Sequence, residues 1–170
     1  MKVWLFSTAL ASAGLLLGLA SVVPLDGAKE QEFFRVYAIG LVHKSDGRTF
    51  IEMYKKYEEG LLGLDGFSHV QVFWWFSKND VPQKRAIMRV YPRGDPANPL
   101  TGVFATRAPV RPNLIALTTC KILSVEGQRV YLDSIDAFDG TPVIDLKPYV
   151  PGLDQVKEPR VPDWARRGRQ

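Results

Sequence analysis

The punctuation of the chain limits its fold more than any other feature. From Phe33 onward, short runs rich in β-branched and aromatic residues are separated by breaks containing glycine, proline and aspartate. This is the pattern of short strands joined by turns. The runs are residues 33–42 (FFRVYAIGLV), 67–76 (FSHVQVFWWF), 85–91, 102–106, 114–125, 129–135 and 143–146. Asp46-Gly47 marks a turn, and Glu126-Gly127-Gln128 is short enough to make a hairpin of the two runs beside it. The run 67–76 ends apolar on both faces, which suits a central strand buried on both sides. Only residues 50–64 carry helical spacing, with Ile51, Tyr54, Glu58 and Leu61 on one side and Gly63 as a stop. Strands do not alternate regularly with helices, and neither a Gly-x-Gly-x-x-Gly nor a Walker A sequence occurs. The expected fold is therefore mainly β: a compact antiparallel β-barrel with one or two short helices, since closure removes exposed strand edges.

A length of 170 residues, with 46% apolar and 24% charged, fits one globular domain and excludes a wholly disordered chain. The net charge of +4 permits a phosphate-bearing partner, yet a solvated basic surface explains it equally. Cys120 is the only cysteine, which excludes an internal disulfide and a cysteine-rich zinc site. Next to Ile122 and Leu123 it reads as a small buried hydrophobe. His43 reads as a solvated loop residue and His69 as a hydrogen-bonded core residue; with only these two, a histidine-rich metal centre is excluded.

Residues 1–27 differ from the rest. Lys2 is the only charge before Asp26, and the uncharged run 3–25 is 23 residues long. Its basic start and small residues near Gly18-Leu19-Ala20 suit a signal peptide. Its length equally suits a membrane anchor ended by Pro24. An apolar start from a misassigned codon, or a packed N-terminal helix, is the bland alternative. The expected organisation is this segment, a barrel over 33–151, and a polar tail over 152–170.

Three segments carry unusual chemistry. In residues 102–113 (GVFATRAPVRPN), Pro109 and Pro112 stiffen the backbone around Arg107 and Arg111. A guanidinium fork held in place can clamp a carboxylate or phosphate, or it can bridge internal carboxylates. In residues 133–149, Asp133, Asp136, Asp139 and Asp145 lie close to Lys147. Such carboxylates can bind ribose hydroxyls, attract a cation or accept a proton. Equally, Asp139-Gly140 can be turn chemistry and Asp145–Lys147 a structural pair. The third segment is Asp65-Gly66-Phe67-Ser68-His69, leading into the aromatic run.

GFSHVQVFWWF, GVFATRAPVRPN and DAFDGTPVIDLKPYVP, in this order, closely resemble the signature blocks of the TsaA-like family. The resemblance runs from about Val36 to Pro151, and Pro162-Asp163-Trp164 is similar to the ending of its short single-domain members. It implies a β-barrel, usually a homodimer, that binds S-adenosylmethionine as cofactor. It also implies methylation of the N6 position of threonylcarbamoyladenosine in tRNA. By position, the resemblance puts Ser77, Lys78, Arg107, Leu117, Asp133, Ser134, Ile135 and Asp136 at the cofactor. Arg111, Asn113, Asp139 and Lys147 match motif positions expected at the substrate, with Asp136 and Arg111 the catalytic candidates.

The chain departs from the family in three places. It has Pro112-Asn113-Leu114-Ile115-Ala116 where the family commonly has Pro-Asn-Pro-Ile-Gly. It has Ser77-Lys78 where longer members are His-Gln-like. A brief turn at 43–48 replaces their basic loop. A tRNA methyltransferase is the first reading. An exported or membrane-tethered module that binds S-adenosylmethionine without methylating tRNA is the alternative, and the N-terminal segment would discriminate between them.

Overall fold

The computed structural model describes residues 33–166. The segment read as a leader or anchor, 1–27, lies outside the described residues. Within them, no helix is long and apolar enough to cross a membrane.

Among the described residues there are eight strands: β1 (Gly40–Ser45), β2 (Arg48–Met53), β3 (His69–Trp75), β4 (Arg89–Val90), β5 (Thr101–Gly102), β6 (Ile115–Glu126), β7 (Arg129–Leu132) and β8 (Pro142–Pro148). Six close into an antiparallel barrel in the order β1-β2-β7-β6-β3-β8, with β8 returning to β1; β4 and β5 form a separate ribbon. The helices are α1 (Pro82–Arg85), α2 (Pro151–Asp154) and α3 (Asp163–Arg166). The expected barrel is the observed one.

The residues at 50–64 do not form the expected helix. Asp46 and Gly47 adopt φ of 52° and 71°, so the chain reverses in a two-residue turn. Such a turn matches the twist of a hairpin, and β2 returns along β1 from Ser45↔Arg48 to Gly40↔Met53. Ile51 and Met53 therefore point inward at a spacing of two, and only Lys55–Leu61 winds helically, as a 3-10 turn. Helical winding occupies about half of the expected span, at three residues per turn rather than 3.6; pairing claimed the other half.

The expected strand over 33–42 begins only at Gly40, where the backbone comes close to β2. A Cβ at Gly40 would meet the Glu52 carbonyl oxygen at 2.5 Å. The run 67–76 is central, between β6 and β8, but it is not buried on both faces. Val70, Val72 and Trp74 fill the barrel while His69, Gln71, Phe73 and Trp75 stay half exposed. His69 bonds to Ser68 Oγ at 2.9 Å outside the core. His43 belongs to β1, stacked on Phe50 with ring centroids 5.2 Å apart. The runs 85–91 and 102–106 contribute only the two-residue strands β4 and β5.

The barrel interior is a contiguous aliphatic cluster in which Val42, Ile51, Val70, Val72, Val130 and Val143 are fully buried. Cys120 joins it at 2% exposure, as expected. Burial, with the Asp133 carboxylate nearby, pushes its thiol up to about 12.

Gly40→Ala is expected to lower unfolding stability by roughly 1–3 kcal/mol, since added bulk has nowhere to go. Gly60→Ala, where a Cβ meets open space, is expected to stay within about 0.5 kcal/mol. Urea unfolding checks both. The thiol gives a pH signature. Its folded-state pKa is raised, so its contribution is intact below the unfolded value near 9 and falls as pH rises towards 12. Cys120→Ala should abolish that alkaline slope in unfolding experiments.

Candidate active site

The site arises from a mismatch of strand lengths. β6 is twelve residues long and β7 only four. β3 pairs with β6 from Ile115 to Lys121, whereas β7 pairs with it only from Ile122 onward. The first half of β6 therefore has one edge that none of the described strands covers. At the two ends of the β3–β6 ladder, Phe76 N–H donates to the Leu114 carbonyl and Ile122 N–H to the Ser68 carbonyl, each at 2.9 Å. By antiparallel alternation, even-numbered β6 residues between these bonds face β3. The N–H and C=O groups of Ile115, Leu117 and Thr119 face the open side. A register shift between Ile122 and Ser124 restores pairing with β7 beyond this point.

A cavity of about 640 Å³ lies along this edge. Trp74, Phe76 and residues 115–119 form one side; Thr106, Arg107, Arg111 and Asp136 complete the lining. Trp74 is fixed by its indole N–H, which donates to Thr118 Oγ1 at 3.1 Å, and by an edge-on contact with Phe76 at 4.7 Å between centroids. Arg107 reaches the open edge directly, its Nη1 donating to the Leu117 carbonyl at 3.4 Å. Arg111 Nη1 donates to the Thr106 carbonyl at 3.4 Å. Asp136 enters from the loop after β7. Its neighbours Ile135 and Ala137 are 5% and 4% exposed, so the backbone there alternates and turns Asp136 outward.

The proline-stiffened segment is anchored from outside. Asp80 accepts from Trp75 Nε1 at 3.0 Å and from Arg85 Nε at 2.9 Å, and Arg85 Nη1 donates to the Pro112 carbonyl at 2.9 Å. Arg85, and then Trp75, holds the Asp80 carboxyl below its ordinary value of 3.8. Nothing in the sequence marks this clasp, because its members touch only after β3, α1 and residues 107–113 have come together.

Of the residues singled out in sequence, Arg107, Arg111, Leu117 and Asp136 share the cavity. The others do not line it. Ser77 and Lys78 lie in a 3-10 turn after β3, with Lys78 Nζ 3.5 Å above the Phe138 ring, so that turn abuts the Asp136 loop. Asp133 ties off the ladder: it accepts from Lys121 N–H at 2.9 Å and its own N–H donates to the Lys121 carbonyl at 3.1 Å. Ile135 is core, and its carbonyl accepts from Lys44 Nζ at 2.9 Å; Ser134 is exposed. Asn113 caps the start of β6 through its carbonyl, which accepts from Ile115 N–H at 2.8 Å. Asp139 accepts from Lys44 N–H at 2.9 Å beside β1. Lys147 pairs with Asp145 at 2.8 Å on β8, and that carboxylate holds the ammonium above its ordinary value. Sequence reasoning missed Thr106, Thr118 and Thr119, and it read the aromatic run carrying Trp74 and Phe76 as core more than as a stacking surface.

A six-stranded antiparallel barrel with a cavity on an interrupted strand edge, set between two arginines and a carboxylate, defines a small ligand-binding β-barrel class. The profile described as tRNA-methyltransferase O N-terminal domain matches residues 40–155. A probable S-adenosyl-L-methionine-binding protein of Pyrococcus horikoshii is 44% identical over 127 residues, covering 75% of this chain and 90% of that protein. The human tRNA (adenine(37)-N6)-methyltransferase is 46% identical over 105 residues, 60% of this chain and 23% of that protein. The solved structure of TrmO from Pseudomonas aeruginosa superposes with a TM-score of 0.59 at 29% identity, covering 76% of this chain and 62% of that one. The chain thus belongs to the tRNA-methyltransferase O N-terminal domain family, the TsaA-like family its sequence blocks resemble. It spans most of its archaeal relative but less than two thirds of that TrmO chain and under a quarter of the human protein.

Asp80→Asn is expected to free residues 107–113, read as faster amide hydrogen exchange there with the barrel strands unchanged. Because the Asp80 pKa is lowered, the clasp is intact above pH 3.8 and weakens only as pH falls below it. Exchange of this segment, corrected for intrinsic rate, should be flat from neutral pH down to that point.

Proposed function

We propose that this protein is an S-adenosylmethionine-dependent methyltransferase acting on N6 of threonylcarbamoyladenosine in tRNA. One observation carries the reading: Arg107, Arg111 and Asp136 meet on one cavity beside the open edge of β6. The donor set suits the cofactor. The outward Leu117 N–H and the outward N–H and C=O of Thr119 offer donors and an acceptor to a purine edge. Ile115, Leu117 and Phe76 supply apolar walls, and Asp136 supplies an anion for a cationic ligand. Binding pockets commonly combine apolar walls with a few fixed polar groups in this way.

When bound, S-adenosylmethionine supplies a methyl group already activated on a sulfonium. The protein's own residues then have three tasks: to hold the acceptor nitrogen in line, to keep water out and to take away a proton. Arg107 and Arg111 present forks to the carboxylate of the threonyl group or to a phosphate. The proline backbone between them limits how far the forks move, and the Asp80–Arg85 clasp holds that backbone from behind. The Asp136 carboxylate takes the proton released by the acceptor nitrogen as the new N–C bond forms.

Calorimetry and transfer of labelled methyl to tRNA test the reading on the full chain. The wild-type protein is expected to bind S-adenosylmethionine and to methylate tRNA. Asp136→Asn should weaken cofactor binding and, at saturating cofactor, transfer methyl about a hundredfold more slowly. Normal turnover in that variant would remove the proton-accepting role. A wild-type chain that does not bind the cofactor would sink the whole reading.

A further inference from the structure

The polar groups of the cavity stand on two separate pieces of chain. Arg107 and Arg111 belong to the segment clasped by Asp80 and Arg85, while Asp136 belongs to the loop after β7. That loop is tied to β1 at both ends. Lys44 Nζ donates to the Ile135 carbonyl and Lys44 N–H to Asp139 Oδ1, each at 2.9 Å, and Gly140 N–H donates to the Val42 carbonyl at 2.8 Å. Residues 136–138 lie between these bonds. Burial of Ile135 and Ala137 turns Asp136 outward. It does not fix how far the stretch leans towards the arginines.

A contact on the outward side can do so. Phe138 is exposed like Asp136, with buried Ala137 between them, so the two side chains share that side. Lys78 Nζ lies 3.5 Å from the Phe138 ring centroid, well inside the range of a cation–π contact. Lys78 is itself held. It belongs to the 3-10 turn Ser77–Asn79, and Lys84 Nζ, from α1, donates to the Lys78 carbonyl at 3.3 Å and to Asn79 Oδ1 at 2.9 Å. Asp80, the centre of the clasp, follows directly. Residues 77–80 thus brace both pieces of chain: Asp80 through Arg85 to the Pro112 carbonyl, and Lys78 through Phe138 to the Asp136 loop.

We propose that Lys78 and Phe138 are positioning residues for Asp136: the ammonium holds the ring, and the ring holds the carboxylate two residues away at its place in the cavity. The proposal rests on the methyltransferase reading, in which Asp136 takes the proton, and adds what sets that carboxylate against the arginines. Lys78 acts here through Phe138 and not by touching the ligand, since it does not line the cavity.

The test is a set of mutant cycles on the full chain, read by labelled methyl transfer to tRNA at saturating S-adenosylmethionine and by amide hydrogen exchange. Lys78→Met and Phe138→Leu are each expected to slow transfer roughly three- to fivefold, the effect of losing one exposed cation–π contact. Each should also quicken exchange of residues 134–140 with the barrel strands unchanged. Lys78→Arg and Phe138→Tyr keep a cation on a ring and should restore both readouts. Lys78→Met should add no further loss in the Phe138→Leu background, nor in the Asp136→Asn background. An additive loss in either background overturns the proposal, because Lys78 then acts on the ligand itself. If the wild type transfers methyl and both single variants match it in transfer and exchange, the positioning role falls and the function stands. If the wild type transfers no methyl while exchange quickens in each single variant and no further in the double, the brace stands and the function falls.

Discussion

The early end of β7 is the constraint on which the rest depends. A barrel needs every strand edge paired, because unpaired backbone groups are costly when buried and adhesive when exposed. Here β6 continues past its partner and leaves Ile115, Leu117 and Thr119 with backbone groups aimed at a cavity. Asn113 and Arg107 occupy two of these groups, the Ile115 N–H and the Leu117 carbonyl. Asp133 marks where the ladder stops, since its side chain and backbone stand in for one further residue of strand against Lys121. The opening is thus bounded: paired strand on one side, a tied-off ladder at one end, and the Pro112 segment at the other.

Two kinds of rigidity surround that edge. The barrel interior is tightly filled by small β-branched residues, so the strands carrying Trp74 and Leu117 have little freedom. The segment carrying Arg107 and Arg111 has almost no regular structure, and its order comes from prolines and from three hydrogen bonds through Asp80 and Arg85. Arginines on such a segment lose less freedom on meeting a ligand than arginines on an unrestrained loop. Asp136 is oriented more simply, by buried neighbours on either side. Three site residues are therefore held by three devices: a strand edge, an external clasp and local alternation.

Much of the fold was legible because strand propensity and turn chemistry are local. The runs 114–125 and 129–135 became a hairpin, and Asp46-Gly47 did turn the chain. The helix over 50–64 was misread because Ile51, Tyr54 and Leu61 satisfy a period of 3.6 while Ile51 and Met53 satisfy a period of two. Only the pairing of β2 with β1 and β7 decides between these. The site was legible where an unusual residue type stood in a rigid context, as with Arg107, Arg111 and Asp136. It was not legible at Thr118 and Thr119, which look like ordinary strand residues. Thr119 matters for which way its backbone faces, and Thr118 for the hydroxyl that fixes the Trp74 indole.

The sequence by itself determined that the chain would be a small antiparallel barrel of this family, because alternation, turns and the three signature blocks are properties of neighbouring residues. Only the tertiary structure decided that Asp133, Asp139 and Lys147 go to ladder ends and ion pairs while Asp136 lines the same cavity as the arginines. The sequence places aspartates three apart; the burial of Ile135 and Ala137 and the length of β7 select which one reaches the cavity.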